Sequence, residues 1–153
     1  MPAQEIDPVL GFLQLLWQLN HALEVRSKRM RAAVGITGPQ RFVLRLIGER
    51  PMISSGELAK LVRVHPSTTS GITRRLVAAG FVAEGADPSD GRRALYVLTK
   101  KGRQLNERRH GTVEEAVARA LARLPHDEVQ AARKTLTQLA ETLEGPEPRT
   151  RKR

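Results

Sequence analysis

Between Ser54 and Thr99 the chain packs helix-start and helix-stop signals too closely for anything but short helices, then turns into a basic hairpin. Ser54-Ser-Gly-Glu57 is a capping-box pattern, in which a Ser hydroxyl and a Glu carboxylate satisfy each other's backbone N–H groups. It opens a short helix carrying Leu58, Ala59 and Leu61. Pro66 opens a second helix, whose inner stripe is Thr69, Ile72, Thr73 and Leu76, and Gly80 ends it. Phe81–Glu84 and Arg92–Leu98 read as two strands around the tip Asp87-Pro-Ser-Asp-Gly-Arg-Arg93. In the second strand Ala94, Tyr96 and Leu98 alternate with Arg93, Leu95 and Val97.

The flanks are helical. A long amphipathic helix is expected from Asp7-Pro8 to about Val34, with Val9, Leu10, Leu13, Leu16, Trp17, Leu19 and Leu23 at helical spacing and Gly35 as its stop. Thr37-Gly-Pro-Gln40 is another capping box, and the helix behind it is expected to turn Phe42, Val43, Leu46 and Ile47 inward. Thr99 caps a long helix expected to continue through Leu105, Val113, Val117 and Leu121 to about Leu124. Leu124-Pro-His-Asp-Glu128 is a break and restart. The last helix is expected to bury Val129, Ala132, Leu136, Leu139, Ala140 and Leu143 before Gly145-Pro146 stops it. Residues 1–6 read as a loose lead-in, and the basic tail 146–153 as disordered.

The chain is therefore expected to be mainly α with a small β-hairpin. The outer helices are apolar along one face, yet flank a module that has its own core. That surplus apolar surface asks for a partner, and a two-fold homodimer is the simplest one. The expected organisation is an N-terminal dimerisation helix (1–35), a central helix-and-hairpin domain (36–103), C-terminal dimerisation helices (104–145) and the tail (146–153).

Charge is concentrated where the short helices and hairpin lie. Of the net +10, residues 26–109 carry 18 Lys/Arg against 6 Asp/Glu, a local charge of +12. Such a surface suits phosphate contacts. There are no cysteines, so disulfides, thiolate metal sites and cysteine redox sensing are excluded. His21, His65, His110 and His126 show no i, i+4 ligand pairing, so neither metal nor cofactor is expected. No apolar run approaches membrane-spanning length and the first residues lack a signal-peptide pattern, so a cytoplasmic protein is expected.

With Thr69, Ile72 and Leu76 inward, the second helix presents Ser67, Thr68, Ser70, Gly71, Arg74 and Arg75 outward. Small residues at a helix start permit close approach to a major groove, and Ser or Thr can bond bases or phosphates. Arg74 offers a bidentate fork to guanine, while Arg75 is expected to lie toward a phosphate. The hairpin tip adds Arg92 and Arg93 beside Asp87 and Asp90. An Arg steadied by a carboxylate can enter a narrow minor groove, and Arg92, supported by Asp90 or Asp87, is the expected inserted residue. Double-stranded DNA is the expected partner.

Residues 36–103 resemble the winged helix-turn-helix of the multiple-antibiotic-resistance-regulator (MarR) family. The resemblance rests on Ser54-Ser-Gly-Glu-Leu-Ala59, Pro66-Ser-Thr-Thr69, Arg75-Leu76, Ala79-Gly-Phe-Val82, Asp87-Pro-Ser-Asp-Gly-Arg-Arg93 and Leu98-Thr-Lys-Lys-Gly102. It implies a homodimer, a palindromic operator, and repression relieved by a small, often aromatic or phenolic, ligand. Asp87, Asp90 and Arg92 match the family's Asp-x-Arg-Asp-x-Arg wing pattern, whereas Ser89 stands where the first Arg is usual, a loss for which Arg93 can compensate. The effector pocket of such proteins lies between the DNA-reading lobe and the dimer helices, where Trp17, His21, Phe42 and Arg45 are the candidates; Trp17 beside Leu13 and Leu16 reads first as dimer core.

Two other readings predict different behaviour. A non-specific architectural DNA-binding protein would bind with steep salt dependence and little sequence preference. A helical adaptor, or a small enzyme using the hairpin, would bind no DNA at moderate salt. No Ser-His-Asp constellation or Gly-rich phosphate loop supports an enzyme.

Overall fold

The computed structural model describes residues 6–145, in the order α1 (Pro8–Val34), α2 (Gly38–Glu49), β1 (Ile53–Ser54), α3 (Ser55–Val62), α4 (Pro66–Ala78), β2 (Val82–Asp87), β3 (Asp90–Leu98), α5 (Lys100–Glu107), α6 (Val113–Leu121) and α7 (His126–Glu144). Residues 1–5 of the expected lead-in and the whole 146–153 tail lie outside the described residues. The chain forms two compact units, residues 1–115 and 116–153, with the division inside α6.

Local chemistry sets most helix ends in the first unit. The Asp7 carboxylate accepts from the backbone N–H groups of Val9 and Leu10, and Gly35 closes α1 in the left-handed conformation at φ +89°. Thr37 and Gln40 form the expected capping box at the start of α2, as do Ser54 and Glu57 at the start of α3.

The core sits around α2, which touches α1, α3, α4, α5 and β3. Its buried side chains are Arg41, Val43, Leu44 and Ile47, joined by Met30, Val34, Ile36, Leu58, Leu76, Val82, Tyr96 and Leu98. Phe42 is a correction to the sequence expectation: it is 50% exposed, and Leu44 takes the inward position instead. The buried face of α2 is thus Arg41, Val43, Leu44 and Ile47, with Leu46 half-buried at its edge and Phe42 turned outward.

The sheet has three strands in the order β1-β3-β2, all antiparallel. The two-residue strand β1 is an addition to the expected hairpin: Ile53 pairs with Tyr96 and Ser54 with Leu95. The hairpin is also longer than expected, with β2 reaching Asp87, β3 starting at Asp90, and only Pro88 and Ser89 between them.

The Leu-Thr-x-x-Gly segment after β3 works as a three-way junction. Thr99 donates from its hydroxyl to the Gly80 carbonyl (2.7 Å) and from its backbone N–H to the Phe81 carbonyl (3.1 Å). The same hydroxyl caps α5 by accepting from Gly102 N–H (3.0 Å). Lys101 donates to the Ala79 carbonyl at 2.9 Å, at the end of α4, and its ammonium lies 4.5 Å from the centre of the Phe81 ring. A Cβ at Gly102 would collide with the Phe81 carbonyl, so only glycine lets α5 approach β2 this closely. Thr99, Lys101 and Gly102 thus lock the end of α4 to the hairpin and to α5.

The expected single helix from Thr99 to Leu124 is broken. α5 stops at Glu107, Gly111 adopts φ +77°, and α6 begins at Val113. Thr112 is fully buried; its hydroxyl accepts from Glu115 N–H (3.2 Å) and donates to the Arg109 carbonyl (2.8 Å), while the Glu115 carboxylate accepts from Gly111 N–H (2.8 Å). Thr112 accepts from the N–H three residues on, as Thr37 and Ser54 do, while Glu115 reaches the N–H of Gly111, one residue before Thr112; with Gly111 there the break was readable. A purely apolar periodicity ran through it.

Across α6 and α7, no residue is buried in the single chain. The expected burial of Ala132, Leu136, Ala140 and Leu143 is therefore corrected: these are exposed, Leu143 by 75%, while Val129 and Leu139 are half-buried. The same holds for the first half of α1, where Val9, Leu10, Leu15, Trp17 and Leu19 are all more than half exposed.

Candidate nucleic-acid interface

A three-residue turn, Arg63–His65, joins α3 to α4. Arg63 closes α3 in the left-handed conformation at φ +56°, a shape a non-glycine residue adopts at some cost. His65 then caps α4: its Nδ1 accepts from Ser67 N–H (3.3 Å) and lies 2.7 Å from Ser67 Oγ. The sequence reading assigned His65 no role. Its signal was position, since the residue before a helix-opening Pro is the cap.

Within α4, Thr69, Thr73 and Leu76 are buried and Ile72 is half-buried, as the inner stripe requires. Thr73 satisfies its hydroxyl on the Thr69 carbonyl (2.8 Å). Ser67, Thr68, Ser70, Arg74 and Arg75 are exposed, and Gly71 is half-buried. A Cβ at Gly71 would meet nothing within 4 Å, so the protein's own packing makes no demand for glycine there.

At the wing, Asp87 is the organiser. Its Oδ1 accepts from Ser89 N–H (2.8 Å) and Ser89 Oγ–H (2.6 Å), and its Oδ2 lies 4.0 Å from Arg93 Nη1. The Ser89 hydroxyl, then its N–H, hold the Asp87 carboxyl below the usual carboxylate range, with Arg93 adding to the effect. Asp90 accepts from the backbone N–H of Arg92 (3.1 Å), so it shapes the turn and leaves the guanidinium alone. The carboxylate-steadied Arg is thus Arg93, and this corrects the expectation that Asp87 or Asp90 would brace Arg92. Ser89, where an Arg was usual, bonds to the turn through Asp87.

The four pocket candidates are not enclosed in the single chain. Trp17 is 71% exposed, and His21 and Phe42 are also exposed. Arg45 is half-buried and engaged, donating to Asn106 Oδ1 (3.2 Å) on α5 and lying 3.5 Å from Glu49. Among the described residues, no three His, Cys, Asp or Glu side chains gather into a cluster able to hold a metal ion. No described helix is long and apolar enough to cross a membrane.

The helix pair, its exposed small-residue face and the Arg-tipped wing coincide with the residues matched by the MarR family profile, 36–94. An HTH-type transcriptional repressor of Mycobacterium tuberculosis is 34% identical over 133 residues, spanning 87% of this chain and 94% of that protein, and one of Mycobacterium bovis matches to the same extent. The chain belongs to the MarR family. It is a transcriptional regulator rather than an enzyme. Two solved structures extend the likeness across the whole fold: the Staphylococcus aureus MepR–DNA complex (TM-score 0.74, 20% identity, 92% of this chain and 100% of that one) and a mutant Escherichia coli MarR with operator DNA (TM-score 0.70, 25% identity, 90% and 99%). The first is similar in fold alone. This MarR-family regulator has the winged helix-turn-helix that the sequence resemblance implied.

Proposed function

We propose that this MarR-family regulator is a homodimeric repressor that binds a palindromic operator, with α4 in the major groove and the wing in the minor groove. One observation carries the reading. The exposed face of α4 is made of Ser67, Thr68 and Ser70 with half-buried Gly71 beside them, small enough for bases to approach, and Arg74 and Arg75 lie one turn on. In this reading Arg74 contacts a guanine, Arg75 a phosphate, and Arg92, whose guanidinium has no ion-pair partner among the described residues, enters the minor groove.

Dimerisation is supported by the uncovered apolar face of α1 and, separately, by that of α7. Each large aliphatic side chain left in water forgoes about 1.5–3 kcal/mol that burial would provide, so these stripes are costly in a lone chain. Release by a small aromatic or phenolic ligand belongs to the same proposal. Trp17 and Phe42 would supply aromatic faces, with His21 and Arg45 as polar neighbours.

Selection of bound duplexes from a random pool at about 150 mM salt tests the reading, because that ionic strength screens loosely held charge. An inverted repeat with half-sites roughly one helical turn apart supports it. Recovery without a consensus makes the protein an architectural DNA binder held by its +12 segment, and no recovery makes it an adaptor.

A further inference from the structure

Two adjacent arginines at the wing are held differently, and the difference follows from the sheet register. β2 and β3 pair regularly from Val82↔Leu98 to Ala86↔Ala94, and the next pair is Asp87↔Asp90. Gly91, Arg92 and Arg93 therefore have no cross-strand partner in β2. A bulge of this kind frees side chains from strict alternation and re-aims them. On the other edge of β3, Ser54 pairs with Leu95. Arg93 is two residues nearer the tip than Leu95, past the end of β1, and its side chain turns back to Ser54.

There it meets a hydroxyl whose polarity is already decided. Ser54 Oγ donates its only proton to Glu57 Oε2 (2.6 Å), which leaves its lone pairs to accept from Glu57 N–H (3.3 Å) and from Arg93 Nη2 (3.2 Å). Arg93 Nη1 faces Asp87 Oδ2 across the wing. One guanidinium thus spans from the wing tip to the capping box that starts α3, the helix packed against α4. Arg92 has no such tie.

We propose that Arg93 is a positioning residue, a strut that sets the wing's angle to the helix pair, and that Arg92 alone makes the wing's DNA contact. The binding arm of this proposal rests on the DNA-reading assignment above; the strut itself does not. A rigid strut lets wing and recognition helix meet two grooves without an ordering cost at binding.

Hydrogen exchange on the free protein tests the strut directly. Arg93→Ala should speed exchange of wing amides 84–94 by about threefold or more, with α2 and α4 amides unchanged. Arg93→Gln, which keeps a donor for Ser54 Oγ, should recover most of the protection. Unchanged wing exchange in Arg93→Ala overturns the strut whatever the protein binds.

Titration of a selected duplex between about 50 and 300 mM salt tests the division of labour. Arg92→Ala should flatten the slope of log affinity against log salt by about two units, one for each protomer of the dimer, as loss of two phosphate-range contacts does. Arg93→Ala should weaken binding roughly fivefold at an unchanged slope, and Asp87→Ala should add little to it. A flattened slope for Arg93→Ala, with an additive Asp87→Ala, would make Arg93 a DNA contact and overturn the proposal. If the unmodified protein selects no duplex, the DNA reading fails while the exchange result still stands.

Discussion

The buried guanidinium of Arg41 donates from Nε to Glu114 Oε1 at 2.6 Å, tying the central helix α2 to the start of α6. Its remaining nitrogens donate to the carbonyls of Leu105, Asn106 and Arg108, where α5 ends. A cation at a helix C-terminus meets the partial negative charge of its unpaired carbonyls. At 1% exposure Arg41 has no access to water, and every nitrogen of its fork is used within the protein.

Removing one partner of such a buried network leaves the others unsatisfied. Arg41→Ala is expected to destabilise the protein by about 3–5 kcal/mol, read from urea denaturation at fixed protein concentration. Glu114→Gln, which keeps an acceptor, should cost far less. Equal losses for the two variants would mean that the charge on Glu114, and not the carbonyl contacts, carries the junction.

Gly102 sits where α5 meets the Phe81 carbonyl. Gly102→Ala forces backbone to move and is expected to cost about 1–3 kcal/mol, despite alanine's better helix propensity. Thermal melting decides it, and an unchanged or higher midpoint would show that α5 can shift freely.

Gly71 is the opposite case, an open position in the middle of α4. Gly71→Ala should stabilise the fold by about 0.5–1 kcal/mol and at the same time weaken operator binding, because the added methyl stands between helix and bases. Improved stability with undiminished binding would remove this face of α4 from the DNA interface.

Arg74→Ala should relax base preference at one position in each half-site, at about 1–3 kcal/mol of discrimination. Arg92→Ala should weaken binding most on sites with A·T-rich flanks. Repeating the duplex selection with each variant checks both. Unchanged selectivity takes Arg74 off the bases, and equal losses on every duplex take Arg92 out of the minor groove.

The Asp87 and Glu57 carboxyls are both held below their usual range, Asp87 by Ser89 and Glu57 by the Ser54 hydroxyl and N–H. A carboxylate depressed in the folded state contributes stability that is present above its unfolded pKa and lost as pH falls through the folded value. The wing should therefore be insensitive to pH around neutrality and loosen only below about pH 4. The melting-temperature gap between the unmodified protein and Asp87→Asn should shrink as pH drops from about 5 to 3. A constant gap would mean that the Ser89 bonds hold the turn without the charge.

The sequence alone determined the features made by neighbours along the chain. Thr37 with Gln40, Ser54 with Glu57, Asp7-Pro8 and the left-handed Gly35 mark helix ends through groups three or four residues apart, so their outcome needs no distant partner. The same locality made the inner stripe of α4 legible, with Thr69, Thr73 and Leu76 buried as the spacing required. Gly111 with Thr112 and Glu115 carried an equally local signal for the α5–α6 break, and apolar periodicity masked it.

Tertiary structure decided what depends on residues far apart in the chain. Nothing near Arg41 predicts a buried charge; its partners lie more than sixty residues away, and only packing α2 against α5 and the α6 start brings the carbonyls to it. Phe42 and Leu44 are both apolar, and which one faces inward is set by what packs on α2. At the wing, composition named two arginines and two aspartates, but the register jump after Ala86 and the proximity of Ser54 chose which arginine is held. Local hydrogen bonds are short loops that a sequence spells out, while buried charge, helix phase and side-chain aim are settled by whichever surface arrives opposite.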